Sequence, residues 1–212
     1  MDLFAPASEL TRLPLPDGEL AMLAQLALPE SNDAMLARLI ADTAWKSETI
    51  TVWGKQHRQP RLTAWYGEAA YTYSGLSMTP LPFTPLQLTI KAAVEAACGQ
   101  RFNSVLLNYY RDGRDSMGMH SDDEPELGSR PVIASLSFGA TRGFILKHKH
   151  TKQTVKLDLP SGSLLLMSGD TQRYWSHGIN KSAKVLTPRI NLTFRIIGDS
   201  AIKVDKNHIH TI

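Results

Sequence analysis

The chain has 212 residues, 42% of them hydrophobic and 20% charged, with a formal net charge of +3 and a pI near 9.0. That length suits one domain with a substantial core, and so mild a positive balance permits nucleic-acid binding without requiring it. Cys98 is the single cysteine, so no disulfide can form within these residues. No stretch nears the roughly 18 apolar residues of a membrane span, and the opening lacks the basic-then-apolar pattern of a secretory leader. A soluble, reducing compartment, cytoplasmic or nuclear, is expected.

Residues 1–20 mix Pro6, Pro14, Pro16 and Gly18 with scattered leucines and read as a loose N-terminal arm. Ser31 and Asn32 can cap a helix running to about Thr43, with Met35, Leu36, Leu39 and Ile40 on its core stripe. Residues 49–61 begin as a β-type run and end in a basic loop bearing Lys55, Arg58 and Arg61, with Trp53 before Gly54. Taken alone, Trp53 reads as a buried aromatic and the cations as a solvated loop. Tyr71 and Tyr73 fall on one strand face, which suits sheet packing or a stacking wall. Thr84 and Pro85 open a second helix, with Leu86, Ile90, Ala93, Val94 and Ala97 inward and Gly99 ending it.

From residue 102 the pattern turns to strands. Residues 105–110 form one, with Asn108 and Tyr110 on the same face. Residues 132–138 form another, and 143–148 with 154–159 make a hairpin whose Lys147, His148, Lys149 and His150 read as a solvated tip. Residues 163–167 lead on toward His177. Short strands with Gly and Pro turns, following two helices, predict an α+β fold: a double-stranded β-helix (jelly roll) with helices on one side.

Chemistry concentrates at two places. His120 and Asp122 are two positions apart, so on a strand they share a face. His177 supplies a third ligand, and two histidines with one carboxylate and open positions suit non-haem Fe(II) and oxygen. The competing reading is an acidic turn in solvent. Farther on, Arg189, Asn191, Thr193 and Arg195 alternate strictly with Ile190, Leu192, Phe194 and Ile196. The apolar set is core. The polar set is either an exposed edge or the wall of an anion pocket, since arginine forks bind carboxylates through paired hydrogen bonds.

In this order, His-x-Asp, then His, then Arg-x-Asn-x-Thr-x-Arg resembles the AlkB family of Fe(II)- and 2-oxoglutarate-dependent dioxygenases. So do the runs Leu107-Asn108-Tyr109-Tyr110-Arg111-Asp112-Gly113 and Ser135-Leu136-Ser137-Phe138-Gly139. The likeness extends from about Val52 to Ile197 and is greatest to the branch repairing alkylated bases in duplex DNA. It implies one AlkB-like domain, with a nucleotide-recognition lid at residues 45–80 and a catalytic jelly roll at 102–197. It implies Fe(II) on His120, Asp122 and His177, these three also being the catalytic centre. It implies 2-oxoglutarate held by Asn108, Tyr110, Arg189 and Arg195, with Asn191 and Thr193 adding hydrogen bonds, and O2 as the second co-substrate.

For the substrate, the resemblance makes Trp53 a wedge in the base stack, places Lys55, Arg58 and Arg61 near phosphates, and gives Tyr71, and less strongly Tyr73, to the wall around a flipped base. Asp123 and Glu124 would meet the exocyclic amino group and positive charge of the damaged base. The implied reaction hydroxylates N-methyl groups of 1-methyladenine and 3-methylcytosine in DNA, releasing formaldehyde, succinate and CO2. The partner is nucleic acid, membranes play no part, and a monomer is expected. The segment 180–184 is less basic than in some duplex-specific relatives, which weakens the preference for duplex over single strand. Rival readings are a demethylase of RNA or tRNA bases, a non-catalytic jelly-roll nucleic-acid-binding module, and a zinc hydrolase, which would leave the arginines unexplained.

Overall fold

A computed structural model describes residues 9–52, 55–68, 71–73, 76–78, 80–184 and 186–198. Its frame is a seven-stranded antiparallel sheet. In spatial order this sheet runs β1 (Thr11–Leu13), β2 (Glu19–Leu23), β13 (Leu164–Ser168), β10 (Ile133–Gly139), β15 (Arg189–Arg195), β8 (Ser104–Tyr110) and β5 (Leu62–Gly67). A second antiparallel sheet has the order β12 (Thr154–Leu159), β11 (Arg142–His148), β14 (Trp175–Ile179) and β9 (Met117–His120). Two hairpins stand apart: β3 (Thr49–Val52) with β4 (Lys55–Arg58), and β6 (Tyr71–Tyr73) with β7 (Leu76–Met78). The two facing sheets with helices on one side are the jelly roll that the strand pattern predicts.

The helices start and stop where the local chemistry dictates. In α1 (Asn32–Asp42) the Ser31 side chain accepts the Ala34 amide. In α2 (Pro85–Cys98) Thr84 and Gln87 form a reciprocal capping box, and Gly99 closes the helix in the left-handed region at φ 62°. A cap of this sort contributes about 1 kcal/mol. Met35, Leu39, Ile90 and Val94 pack on the outer face of the large sheet, against Leu107, Leu136, Phe138, Ile190, Leu192 and Phe194. Each such side chain stabilises the fold by roughly 1.5–3 kcal/mol relative to exposure.

A second apolar cluster lies between the sheets and includes Ile133, Leu146, Leu165, Met167, Trp175 and Ile179. It plugs one end of the barrel and leaves the other end polar. β15 is buried on both faces. Its apolar residues therefore meet the helices, while Arg189, Asn191, Thr193 and Arg195 point between the sheets.

Two expectations are corrected. Residues 9–20 are not a loose arm: β1 pairs with β2, β2 with β13, and the Trp175 indole donates to Pro16 O at 2.8 Å. Nor is the β11–β12 tip wholly solvated, because His148 is buried. Its Nδ1 accepts the amides of His150 and Thr151, so Nε2 carries the proton and donates to Asp17 Oδ2 at 3.2 Å. Lysines on either side hide this role in the sequence.

Candidate active site

Adjacent strands of the smaller sheet bring the metal-ligand candidates together. His120 ends β9 and His177 sits in the middle of β14, and the two are paired residues with ring centroids 4.4 Å apart. Asp122 follows β9 and is buried, its Oδ1 lying 3.7 Å from His120 Nε2. One ligand atom from each of the three lies within 4.8 Å of the others. The His120 Nδ1 is 3.0 Å from Gly118 O and donates to it, which leaves Nε2 as the lone-pair face.

Electrostatics set both buried ligands in the form a metal needs. Burial alone pushes the Asp122 carboxyl up, but Arg195, His177 and His120 outweigh it and bring it down to about 2. Burial, reinforced by His120, pulls His177 down to about 3. At neutral pH the set is therefore one carboxylate and a neutral His177, as metal binding requires. Asp122 Oδ1 and His177 Nδ1 are buried with no hydrogen-bond partner among the described residues. Ligand atoms from these three side chains, all within 4.8 Å of one another, fit a divalent cation, and two nitrogens with one oxygen fit Fe(II).

Beside the triad opens a cavity of about 430 Å³, lined by Asn108, Tyr110, Arg189, Asn191, Thr193 and Arg195. All six residues expected to hold 2-oxoglutarate thus reach one chamber, next to the ligands. Arg195 Nη2 donates to Asp122 Oδ2 at 2.9 Å, which places it at the metal end. Arg189 lies at the other end, its guanidinium carbon 5.1 Å from the Tyr110 ring centroid and its Nη2 3.0 Å from Ser137 Oγ. The Nε and Nη1 of Arg189 are buried with no hydrogen-bond acceptor among the described residues. Asn191 and Thr193 form an internal chain: Thr193 Oγ1 donates to Asn191 Oδ1, and Asn191 Nδ2 donates to Ser135 Oγ and Leu136 O.

The substrate-side expectations fare differently. Trp53 lies outside the described residues, as do the side chains of Tyr71, Tyr73 and Lys55. Arg58 is exposed on β4. Arg61 is not poised for a phosphate: it is buried, and its Nε donates to Asn108 Oδ1 at 2.7 Å. Burial paired to an amide, rather than exposure on a basic loop, is the correction. Asp123 and Glu124 do not line the chamber; Asp123 is exposed at its margin, 3.3 Å from Lys149 Nζ.

The wall also includes Ser135, from the β10 run quoted for the resemblance, and Met117, Phe144 and Met167, which the sequence did not single out. The small alternating residues of β10, Ser135 and Ser137, were the available signal.

Comparison with known proteins agrees with this geometry. The family described as the 2OG-Fe(II) oxygenase superfamily matches residues 19–195. The chain is 46% identical over 170 residues to the alpha-ketoglutarate-dependent dioxygenase alkB homolog 3 of Mus musculus, covering 76% of this chain and 59% of that protein. It is 45% identical over 158 residues to the DNA oxidative demethylase ALKBH2 of Homo sapiens, covering 70% of this chain and 60% of that protein. The chain thus spans about three-fifths of the length of these curated relatives. Among solved structures, that of OsALKBH1 matches with TM-score 0.60 at 19% identity, over 88% of this chain and 100% of the other, a likeness of fold.

Proposed function

Because the chain belongs to the 2OG-Fe(II) oxygenase superfamily, matched over residues 19–195, we propose that it is an Fe(II)- and 2-oxoglutarate-dependent dioxygenase that demethylates alkylated bases in DNA. The observation that carries this reading is the three-ligand cluster within 4.8 Å, set beside a chamber with a buried arginine at either end. Fe(II) with 2-oxoglutarate and O2 supplies a two-electron oxidant while the diacid becomes succinate and CO2.

The chain's own residues do the rest. His120, Asp122 and His177 hold the metal. Arg195, fixed against Asp122, takes the carboxylate at the keto-acid end. Arg189 takes the distal carboxylate through the two N–H groups left without acceptors. Asn108 and Tyr110 close the chamber beside it, and Asn108 is oriented by Arg61. The reacting methyl group would be presented on the open, His120 side, which stays partly exposed. Hydroxylation of the N-methyl group gives an N-hydroxymethyl base that loses formaldehyde and a proton, restoring the unmodified ring nitrogen.

The substrate class rests on the relatives' names and on two features of the chain: the β3–β4 hairpin with exposed Arg58, and the acidic Asp123 at the margin, which attracts a cationic methylated base. 1-Methyladenine and 3-methylcytosine are the proposed lesions; both block pairing and so flip out at reduced cost. Within residues 45–80, β5 belongs to the large sheet, and the two separate hairpins form the proposed recognition lid, with Trp53 as wedge and Tyr71 and Tyr73 as wall. No helix among the described residues is long and apolar enough to cross a membrane.

The test is formaldehyde and succinate release from methylated single-stranded DNA, duplex DNA and RNA, with Fe(II) and ascorbate supplied. Faster turnover on DNA supports the reading. Equal or greater turnover on RNA rejects the DNA substrate, and no succinate from any of them rejects the dioxygenase.

A further inference from the structure

The loop that carries Asp122 is tied, residue by residue, to the segment that leads into His177. Ser121 Oγ donates to Trp175 O at 2.9 Å. The Asp122 amide donates to Gln172 Oε1 at 3.0 Å. Asp123 is reached by Lys149 Nζ, which also donates to Gln172 O at 2.9 Å. The middle tie is the most enclosed, since Gln172 is 1% exposed. It sits on the short helix α3 (Thr171–Tyr174), which runs directly into β14.

The amide of Gln172 has its direction imposed on it. A buried backbone N–H needs an acceptor, so Oε1 must face Asp122. The nitrogen is left with the Met167 sulfur at 3.6 Å, a weak acceptor. The helix beneath is anchored independently of the ligands: Thr171 Oγ1 donates toward Ser168 O and Glu19 O, and accepts the Glu19 amide. Gln172, five positions before His177 in sequence, therefore stands on fixed ground and grips the main chain of Asp122.

We infer that Gln172 is a positioning residue for the metal centre: by holding the Asp122 backbone against the α3–β14 segment, it sets the carboxylate facing His177 before any metal binds, and so sets metal affinity. The inference rests on the reading of His120, Asp122 and His177 as ligands. Groups that orient ligands in this way typically account for 10–100-fold in metal affinity, because ordering that is present beforehand is not lost on binding. Gln172 carries no charge and touches neither the chamber nor the proposed diacid. Its effect should fall on the metal constant ahead of the 2-oxoglutarate constant.

The experiment titrates Co(II), read by its visible absorption, into the metal-free full-length chain, its Gln172→Met variant and its Gln172→Asn variant. Methionine matches the length without an amide acceptor; asparagine keeps the amide but falls one methylene short of Asp122. The expected result is a Co(II) Kd raised 10–100-fold in both, with altered absorption bands, together with a metal-free Tm lowered by the orphaned Asp122 amide. A Kd within threefold of the parent, with a lowered metal-free Tm, would reduce Gln172 to a satisfied core amide and overturn the inference. Should Gln172→Met fail to fold, Gln172→Asn reads the same constant. A parent chain whose Co(II) binding is absent, or is unchanged in His177→Ala, overturns the ligand reading itself, a separate outcome.

Discussion

Arg195 and Asp122 form an ion pair at 2.9 Å with both side chains shut away from water, 3% and 1% exposed. Each charge is the other's main compensation, and the same guanidinium helps hold the carboxylate ionised for the metal. Truncating one partner of such a pair strands the other, at a cost of about 3–5 kcal/mol. Arg195→Met should therefore lower the unfolding free energy of the metal-free protein, read from urea titrations, by that amount and weaken metal binding together with 2-oxoglutarate binding. Full stability with lost turnover would assign Arg195 to the diacid alone.

Arg189 should respond in the opposite sense. It is equally buried but has no carboxylate partner among the described residues, and burial works against its charge. Removing a buried cation that has no carboxylate partner strands no opposite charge, only the Ser137 hydroxyl. Arg189→Met should keep or raise the stability of the metal-free protein while raising the KM for 2-oxoglutarate more than tenfold. Thermal shift separates the two effects: adding 2-oxoglutarate to the Mn(II)-loaded protein should raise the Tm of the parent further and not that of the variant.

Acid should loosen the metal-free protein before it reaches the carboxylates. Unfolded His177 gains a proton near its ordinary 6.5, whereas the folded side chain, desolvated by burial, does so only near 3. Between those values the unfolded chain binds more protons, so stability falls as pH falls, by at most about 1.4 kcal/mol per pH unit for this one group. Asp122 is lowered from 3.8 to about 2; it is ionised in both states above pH 4 and adds to the loss only below that. Urea midpoints measured from pH 7 to pH 4 should decline for the parent and decline less for His177→Gln. Equal slopes would show that His177 takes up its proton normally in the folded chain.

Gly139 ends β10 opposite Arg189, at φ 85°. A Cβ there would fall 2.2 Å from the Pro188 carbonyl, a backbone atom that cannot rotate aside. Gly139→Ala should cost roughly 2 kcal/mol or more. Because the displaced carbonyl directly precedes Arg189, it should also raise the KM for 2-oxoglutarate. Stability loss with an unchanged KM would show that Pro188 moves without carrying Arg189.

What the sequence made legible were features with a local period or cap. The alternation from Arg189 to Arg195 was readable because both of its faces are buried for different reasons, one by helices and one by the chamber, whereas Ile196, read as core, lies exposed just past the strand. Ser31, Thr84 and Gly99 marked helix ends through hydrogen bonds made within a turn. The misses all depend on distant partners. Pro14, Pro16 and Gly18 read as a loose arm because β2 takes its order from β13, and Glu19 pairs with Ser168. Arg61 looked solvated because nothing nearby in the chain announces Asn108. Gln172 gave no sign at all, being an uncharged amide on a four-residue helix.

The long reach of β2 has a consequence for how the protein is made. Residues 19–23 leave the ribosome early, yet the strand they lie against spans 164–168. That edge of the large sheet must wait for nearly the whole domain to be synthesised, and closing so long a loop is slow compared with forming either helix. Until then β2 has only β1 beside it and its other edge is open, the kind that joins neighbouring chains. Crowded synthesis should therefore produce aggregates cross-linked through residues 9–23 before it harms the finished metal site.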